Sequence, residues 1–406
     1  MEVTVIGLGY IGLPTAALIA SKKIQVYGFD INEVVITKIR EGITDELEPG
    51  LSDLVEESLS SGFLKVSTKF VPSDIYLITV PTPVNDSKEP DMSYVYSACE
   101  IIKPFIKKGD LIILESTSPV GTSEKIIETL RHSSKDLSFG SNDINNKPDV
   151  NFAYCPERVL PGNIIEELKN NDRIIGGITE FCSFRAEEFY RCFTCSDYHK
   201  TNARTAELTK LIENSYRDVN LAFANEISVI AEDLEIDPWE LINLANQHPR
   251  VDILSPSAGV GGHCIPVDPW FVVFSSPKNS LLINQARTIN DKKPQLVVED
   301  IREEVDKCRE EELIPAVFGL SYKSDSNDLR ESPALFIAEK LTLFDEFKTL
   351  YIVEPNITEL PPSLKREKVR FTSVSEALEG ANFLIFLVNH KTFKEISVED
   401  LKEKKI

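Results

Sequence analysis

Positive charge is what this sequence most conspicuously lacks. Aspartate and glutamate number 65 against 44 lysines and arginines, a formal net charge of -21. Such a chain offers no broad positive field to a nucleic-acid backbone or an anionic membrane, so an anionic ligand has to meet basic residues locally. Cysteine is sparse and odd in number: Cys99, Cys155, Cys182, Cys192, Cys195, Cys264 and Cys308 are scattered along 406 residues. That pattern argues against a disulfide framework and for a reducing, cytoplasmic compartment. The close pair Cys192 and Cys195 lacks a second pair, so it reads as two half-buried core thiols rather than a zinc or redox centre, and no metal is expected. One long run without charge, residues 3–20, approaches the roughly 20 residues of a membrane span. It has no basic leader, and Gly7, Gly9, Gly12 and Pro14 suit a strand, a tight loop and a helix instead. The chain therefore reads as soluble and untargeted, with neither a short-period repeat nor a low-complexity tail.

A 42% hydrophobic chain of this length holds more than one ordinary core. Residues 3–6 form a β-branched run, glycines follow at once, and residues 10–21 read as a helix. A second strand over 25–29 ends in Asp30. Apolar runs at 75–80, 111–114 and 151–154 alternate with helical stretches, the rhythm of a buried parallel sheet. The polar region 138–148 reads as an exposed loop. From 202 to 234 apolar positions (Leu208, Leu211, Ile212, Val219, Leu221, Ala222, Ile227, Ile230) recur at helical spacing with no Gly or Pro between them. After a second helical stretch and the glycine-rich segment 259–262, strands return at 315–319, 349–353 and 383–388. The predicted fold class is α/β: two Rossmann-like doubly wound domains, residues 1–200 and 301–406, joined by a helical middle domain, residues 201–300, built on a long central helix.

Gly7-x-Gly9-x-x-Gly12 gains specificity from its setting, because it follows a strand, opens a helix, and is followed about 20 residues later by an acid, Asp30. The first glycine permits the tight turn. The second lets a pyrophosphate approach the backbone, and the third lets helix and strand pack closely. Asp30 would accept from both ribose hydroxyls and repel a 2′-phosphate, which favours NAD over NADP.

Residues 259–269, Gly-Val-Gly-Gly-His-Cys-Ile-Pro-Val-Asp-Pro, put the thiol of Cys264 in bare backbone, leaving room for a substrate at the sulfur. Asp268, four residues on, could orient a water or take a proton. On composition alone a buried structural cysteine is as good a reading.

The chain resembles the UDP-glucose and GDP-mannose dehydrogenase family of nucleotide-sugar dehydrogenases. The motifs that carry the resemblance are Gly7-Leu8-Gly9-Tyr10-Ile11-Gly12-Leu13-Pro14, Val80-Pro81-Thr82-Pro83, Glu115-Ser116-Thr117, Cys155-Pro156-Glu157-Arg158, Glu207-Leu208-Thr209-Lys210-Leu211-Ile212-Glu213-Asn214, the Cys264 segment, and Gly319-Leu320-Ser321-Tyr322-Lys323 leading to Asp328-Leu329-Arg330-Glu331-Ser332-Pro333. The resemblance implies oxidation of a UDP-sugar alcohol at C6 to the acid, a four-electron change that consumes two NAD. It implies that a water held by Asp268 and assisted by Lys210 takes the hydroxyl proton, and that Lys210 and Asn214 stabilise the developing oxyanion. Those two lie four apart on the long helix and so share a face. It further implies that Cys264 forms a thiohemiacetal and then a thioester, its thiolate favoured by nearby Lys210, with Glu157 the base for hydrolysis. Gly7, Gly9, Tyr10, Ile11, Gly12, Asp30 and Thr82 would hold NAD, with Glu115 and Thr117 near the nicotinamide and Arg330 on the pyrophosphate. Glu157, Arg158, Lys210, Asn214, Gly261 and Lys323 would hold the substrate, the last from a UDP-sugar-binding domain. Arg250 matches an arginine offered to the adjoining subunit's substrate, so a homodimer is implied. Taken singly, Lys210 also reads as a solvated helix charge, Glu157 as a helix-start carboxylate, and Lys323 or Arg330 as partners of Asp325 or Asp328.

Pro156-Glu157-Arg158-Val159-Leu160-Pro161-Gly162-Asn163, then Asn171-Asp172-Arg173, and Asn246-Gln247-His248-Pro249-Arg250-Val251 resemble the N-acetylmannosamine branch of the family, with N-acetylglucosamine or glucose as alternatives. Ser257-Ala258 departs from the Gly-Pro that relatives commonly carry there. The chain ends at Ile406, where relatives usually continue into another strand. Two rival readings are a two-electron hydroxy-acid dehydrogenase in which Cys264 is structural, and a non-catalytic nucleotide-sugar-binding protein.

Overall fold

The computed structural model describes all residues except 45–47, 134–135, 141–146, 160–161, 309–312, 403 and 406. The chain forms two compact units, Met1–Glu213 with Trp270–Pro277, and Asn214–Pro269 with Lys278–Ile406.

In the first unit eight strands, β1 Glu2–Ile6, β2 Gln25–Phe29, β3 Leu64–Ser67, β4 Ile75–Ile78, β5 Leu111–Leu114, β6 Asn151–Tyr154, β7 Arg173–Gly177 and β8 Tyr198–Asn202, form one sheet. Their order is β3-β2-β1-β4-β5-β6-β7-β8, parallel except between β6 and β7. Every residue of β4, β5 and β6 is buried, which is why these strands read as unbroken apolar runs rather than alternations. Side chains of a strand point alternately to the two faces, and each apolar one fully buried contributes roughly 1.5–3 kcal/mol. The order reverses between β1 and β4, and a doubly wound sheet opens its ligand crevice at the carboxyl ends of such a strand pair.

In the second unit β9 Pro315–Phe318, β10 Leu350–Val353, β11 Val369–Phe371 and β12 Phe383–Phe386 form a parallel sheet in the order β11-β10-β9-β12. Val317, Leu350, Ile352 and Ile385 face one core, and Ala316, Phe318, Val353 and Leu384 the other, so both faces are covered. Residue 405 forms a parallel bridge with Phe383 beside β12. The long helix, Ala203–Asp233, lies within one residue of its predicted bounds and passes from the first unit into the second.

Three expectations are corrected. β3, β7, β8 and β11 were not foreseen: β3, β8 and β11 are short edge or near-edge strands with exposed polar positions, such as Tyr-His-Lys-Thr-Asn in β8, and carry no apolar run. Cys192 and Cys195 are exposed rather than half-buried. The loop expected at 138–148 falls partly outside the described residues, but Phe139 is buried and Ser138 hydrogen-bonds Asp149, so its first part packs down. Among the described residues no helix is long and apolar enough to cross a membrane. A further helix, Leu281–Lys307, spans residue 300 without a break.

Candidate active site

The candidate residues divide between the two units. In the first, the three glycines after β1 do different things. Gly7 has φ +94°, donates its N–H to the Phe29 carbonyl at 2.8 Å, and a Cβ there would lie 3.0 Å from the Thr79 carbonyl oxygen. A Cβ on Gly12 would stand 1.8 Å from the Gly7 carbonyl oxygen, which only glycine avoids. Around Gly9 there is open space to 4 Å. Directly behind, the helix Gly12–Ser21 turns its N-terminus and positive dipole end toward that opening. Asp30 is half-buried at the end of β2; its two oxygens accept the N–H groups of Leu8 and Asn32, each at 2.9 Å, and keep lone pairs for further donors. This set fits a dinucleotide: bare backbone and a helix N-terminus for the pyrophosphate, a carboxylate for the ribose. Ile11 and Thr82 are half-buried nearby in sequence, in the turn and after β4. The Tyr10 hydroxyl donates to buried Glu48, which also accepts the N–H groups of Gly162 and Ile164.

Beyond β5 and β6 the same unit buries a polar cluster. Glu115 accepts from the Tyr190 hydroxyl at 2.6 Å, and its other oxygen has no hydrogen-bond partner among the described residues. Burial first, then the charge of Glu157, pushes the Glu115 carboxyl up to about 7. Glu157 pairs with the guanidinium of Arg173 at 3.2 Å and accepts the Arg158 N–H at 2.7 Å. Arg173 is itself buried and stacks over the Tyr190 ring, 4.5 Å from its centroid. Arg158 turns instead to Glu213 and the Asp172 carbonyl. Thr117 is half-buried in the loop that leads to the helix Thr122–Ser133. Glu207, wholly buried on the long helix, accepts from the N–H groups of Gly121 and Ser123 and from the Ser123 hydroxyl at 2.6–2.8 Å. A carboxylate capping that helix ties the Thr117 loop to the long helix one turn from Lys210. Lys210 is 9% exposed and has no ion-pair partner among the described residues.

In the second unit Cys264 is exposed, not immured in an apolar core. Its carbonyl accepts the N–H groups of Val267 and Asp268, at 3.1 and 2.9 Å, forming the turn into the helix Asp268–Ser275. Asp268 is buried and accepts from the Asn214 side-chain amide at 2.5 Å, which leaves that amide a second N–H. The glycines of this segment serve packing rather than space at the sulfur: added Cβ atoms would meet Pro294 and Pro333 at Gly259, the Glu331 carbonyl at Gly261, and the Tyr322 ring at Gly262, all below 3 Å. Lys323 is half-buried with its ammonium 6.0 Å from the Tyr322 centroid. Arg330 is exposed and held bidentate by Asp328, which also faces His263 at 3.4 Å. Arg250 is exposed after the helix Pro238–Ala245.

Sequence reasoning gave no role to Glu48, Glu115's partner Tyr190, Arg173 or Glu207. Their partners lie far along the chain, and the one local signal is a lone charge, Arg173, opening a fully buried strand. Among the described residues no cluster able to hold a metal is found.

A dinucleotide turn at a doubly wound sheet, with an exposed cysteine and a buried acid-amide pair elsewhere in the chain, describes a pyridine-nucleotide oxidoreductase with a nucleophile. Residues 1–194, 204–292 and 316–405 match, in turn, the NAD binding, central and UDP binding domains of the UDP-glucose/GDP-mannose dehydrogenase family, and the chain belongs to that family. It is an NAD-dependent nucleotide-sugar dehydrogenase. Relatives include the UDP-N-acetyl-D-mannosamine dehydrogenase of Escherichia coli K12, 49% identical over 99% of this chain and 96% of its own, and the NDP-N-acetyl-D-galactosaminuronic acid dehydrogenase of Ralstonia nicotianae, 44% identical over 99% and 94%. The UDP-D-ManNAc dehydrogenase structure from Pyrococcus horikoshii superposes with a TM-score of 0.86 at 37% identity, covering 100% of this chain and 93% of that one.

Proposed function

We propose that this enzyme oxidises UDP-N-acetyl-D-mannosamine at C6 to UDP-N-acetyl-D-mannosaminuronate through a thioester on Cys264. The observation that carries the sugar assignment is the 49% relative of that name over nearly the full chain; the exposed thiol of Cys264, four residues before the Asp268 that holds the Asn214 amide, supports the chemistry. Gly7, Gly9, Tyr10, Ile11, Gly12, Asp30, Thr82 and, later in the chain, Arg330 are the residues assigned to NAD. Bound NAD supplies the hydride acceptor for each of two oxidations.

Asp268 orients a water, with Lys210 assisting, and the water takes the proton of the C6 hydroxyl. Lys210 and the remaining Asn214 N–H hold the oxygen as charge develops on it. The Cys264 thiolate adds to the aldehyde carbon, which keeps the intermediate bound as a thiohemiacetal until the second oxidation leaves a thioester. Glu157 then draws a proton from the hydrolytic water. Arg158, Gly261 and Lys323 hold the substrate, Thr117 orders the catalytic water, and residues 1–200, 201–300 and 301–406 divide the labour as NAD-binding, central and UDP-sugar-binding domains. A homodimer is supported by the long helix, which exposes Tyr216, Phe223 and Ile230 at seven-residue spacing, 69%, 50% and 45% accessible, and by Arg250 as the residue lent to a neighbour. Its substrates, NAD and a nucleotide sugar, place the work in the cytoplasm.

The test is NADH release from UDP-N-acetylmannosamine, UDP-N-acetylglucosamine, UDP-N-acetylgalactosamine and UDP-glucose side by side. Two NADH per sugar with the first, and no acid from Cys264→Ala, are expected. One NADH with a freed ketone, or full turnover in Cys264→Ala, would move the enzyme to two-electron chemistry. Binding without NADH would make it a non-catalytic receptor.

A further inference from the structure

The loop that follows β9, residues 319–332, carries Tyr322, Lys323 and Arg330 without a helix or strand of its own. Around Lys323 it is shaped by a side chain from much later in the chain. His390, four residues after β12, is 0% exposed. Its Nδ1 accepts the Asp325 N–H at 2.9 Å and lies 3.2 Å from the Asn356 amide nitrogen. Its Nε2 lies 3.1 Å from the Glu354 carboxylate and 3.4 Å from the Ser321 hydroxyl, which itself donates to the Lys323 carbonyl at 2.7 Å. Phe393 packs edge-on against the ring, with centroids 5.2 Å apart and planes at 83°, and so sets the plane of the imidazole. These partners fix the tautomer. A backbone N–H and an amide nitrogen can only donate, so both neighbours of Nδ1 require a bare nitrogen there; a carboxylate accepts, so the ring hydrogen belongs on Nε2. The same contacts account for a strained residue. Asp325 has φ +57°, a left-handed conformation that a non-glycine residue keeps only where its surroundings over-determine it. Two groups do so: His390 Nδ1 on its N–H, and the next residue's N–H, that of Lys391, which donates to its carboxylate at 3.0 Å.

We propose that His390, with its hydrogen on Nε2, is the positioning residue that sets Lys323 for the UDP-sugar. This rests on the reading of Lys323 as a substrate ligand. Lys323 lies midway between Ser321 and Asp325, and both of those residues meet the one imidazole. Being wholly buried, the ring has no face to offer the substrate. It acts by removing the alternatives open to the backbone on either side of Lys323, so that the cost of ordering the loop is met in folding rather than at binding. Glu354 cannot do this alone. Its bonds to the N–H groups of Leu320 and Ser321 hold the loop before Lys323, whereas Asp325, after it, is reached by His390 and Lys391. Arg330, further along, is braced separately by both oxygens of Asp328.

The experiment measures KM and kcat for UDP-N-acetylmannosamine in the full chain, and the dissociation constant of the same sugar nucleotide by calorimetry without NAD. His390→Phe keeps a ring and loses both nitrogens; KM and the dissociation constant are expected to rise about tenfold, with kcat within about twofold. His390→Asn places an amide oxygen near the Nδ1 position and should recover most of that loss. His390→Gln, which reaches only the Nε2 position, should not. Lys323→Met should weaken binding at least as much as His390→Phe, and combining the two should cost nothing further, because they act through one contact. Nitrogen-15 spectra of histidine-labelled protein should show a bare Nδ1 and a protonated Nε2 for His390, assigned by its loss in His390→Asn. Wild-type binding in His390→Phe, His390→Asn no better than His390→Gln, additive losses in the double variant, or a hydrogen on Nδ1 would each overturn the proposal. Should His390→Phe not fold, the comparison of the two amide variants and the spectra still decide it. Lys323→Met binding as wild type would instead remove Lys323 as a ligand, a separate failure of the reading beneath it.

Discussion

The two sheets begin alike and end differently. Both run in the order third, second, first, fourth strand of their unit, and in both the glycine after the first strand donates to the carbonyl ending the second: Gly7 to Phe29 and Gly319 to Val353, each at 2.8 Å. Both glycines have φ near +95°. In both an acid ending the second strand turns back on the loop, Asp30 to the Leu8 N–H, Glu354 to those of Leu320 and Ser321. There the likeness stops. Five residues after Gly7 a helix starts, so backbone N–H groups face the opening; after Gly319 the next helix, Pro333–Leu341, waits while a long loop presents Tyr322, Lys323 and Arg330 as side chains. Asp30 stays half-buried with acceptor capacity to spare, whereas Glu354 is buried and spent on Leu320, Ser321, Asn356 and the Nε2 of buried His390. The Nδ1 of His390 accepts the Asp325 N–H at 2.9 Å, so the imidazole pins the long loop to the acid. One topology thus serves two strategies: a backbone cradle with an available acid, and a long loop of side chains braced by an acid that is no longer available.

The contrast breaks most sharply at Gly12. Gly12→Ala puts a methyl 1.8 Å from the Gly7 carbonyl oxygen, and a loss of about 4 kcal/mol or more is expected in urea unfolding; a variant as stable as wild type would show that helix and strand need not meet there. Next, Glu354→Gln presents an amide to converging N–H donors, and about 2 kcal/mol should go from the second unit, read by its thermal midpoint. Burial alone would raise the Glu354 carboxyl, but the hydrogen bonds of His390, Leu320 and Asn356 hold it below the ordinary range. A depressed folded-state pKa means the stabilisation is present above the unfolded value, about 4.3, and fades as pH falls below it. Acid unfolding of the second unit should therefore flatten in Glu354→Gln. Asp30→Ala should weaken NAD about tenfold by calorimetry while changing stability by less than about 1 kcal/mol; equal losses of stability at both acids would erase the distinction between them. The smallest effect belongs to Gly9→Ala, within about 0.5 kcal/mol because its surroundings are open, with weaker NAD binding as the only readout that moves.

Much of the first unit is legible along the chain because its signals are local. β2, β5 and β6 match their predicted spans residue for residue, β5 because a buried parallel strand is a continuous apolar run, and the long helix is bounded to within one residue by its uninterrupted periodicity. The glycine turn and Asp30 are equally local, being a spacing and a strand end. What escapes is non-local: Arg173 opposite Glu157, Tyr190 under Glu115 across 75 residues, and Glu207 capping a helix 84 residues upstream. The glycines before Cys264 show a subtler limit. Their presence points to close approach, but what approaches is Tyr322, Glu331 and Pro333.

Sequence by itself determined the α/β class, the dinucleotide turn with its acid, and the family, because each resides in contiguous motifs whose meaning depends on near neighbours. Only tertiary structure decided that the buried guanidinium of Arg173 pairs with Glu157, that the second sheet's acid is consumed by a histidine 36 residues on, and that Asn214 reaches Asp268. Those pairings are made by burial, and the charge state and availability of a side chain follow from which distant groups folding brings against it.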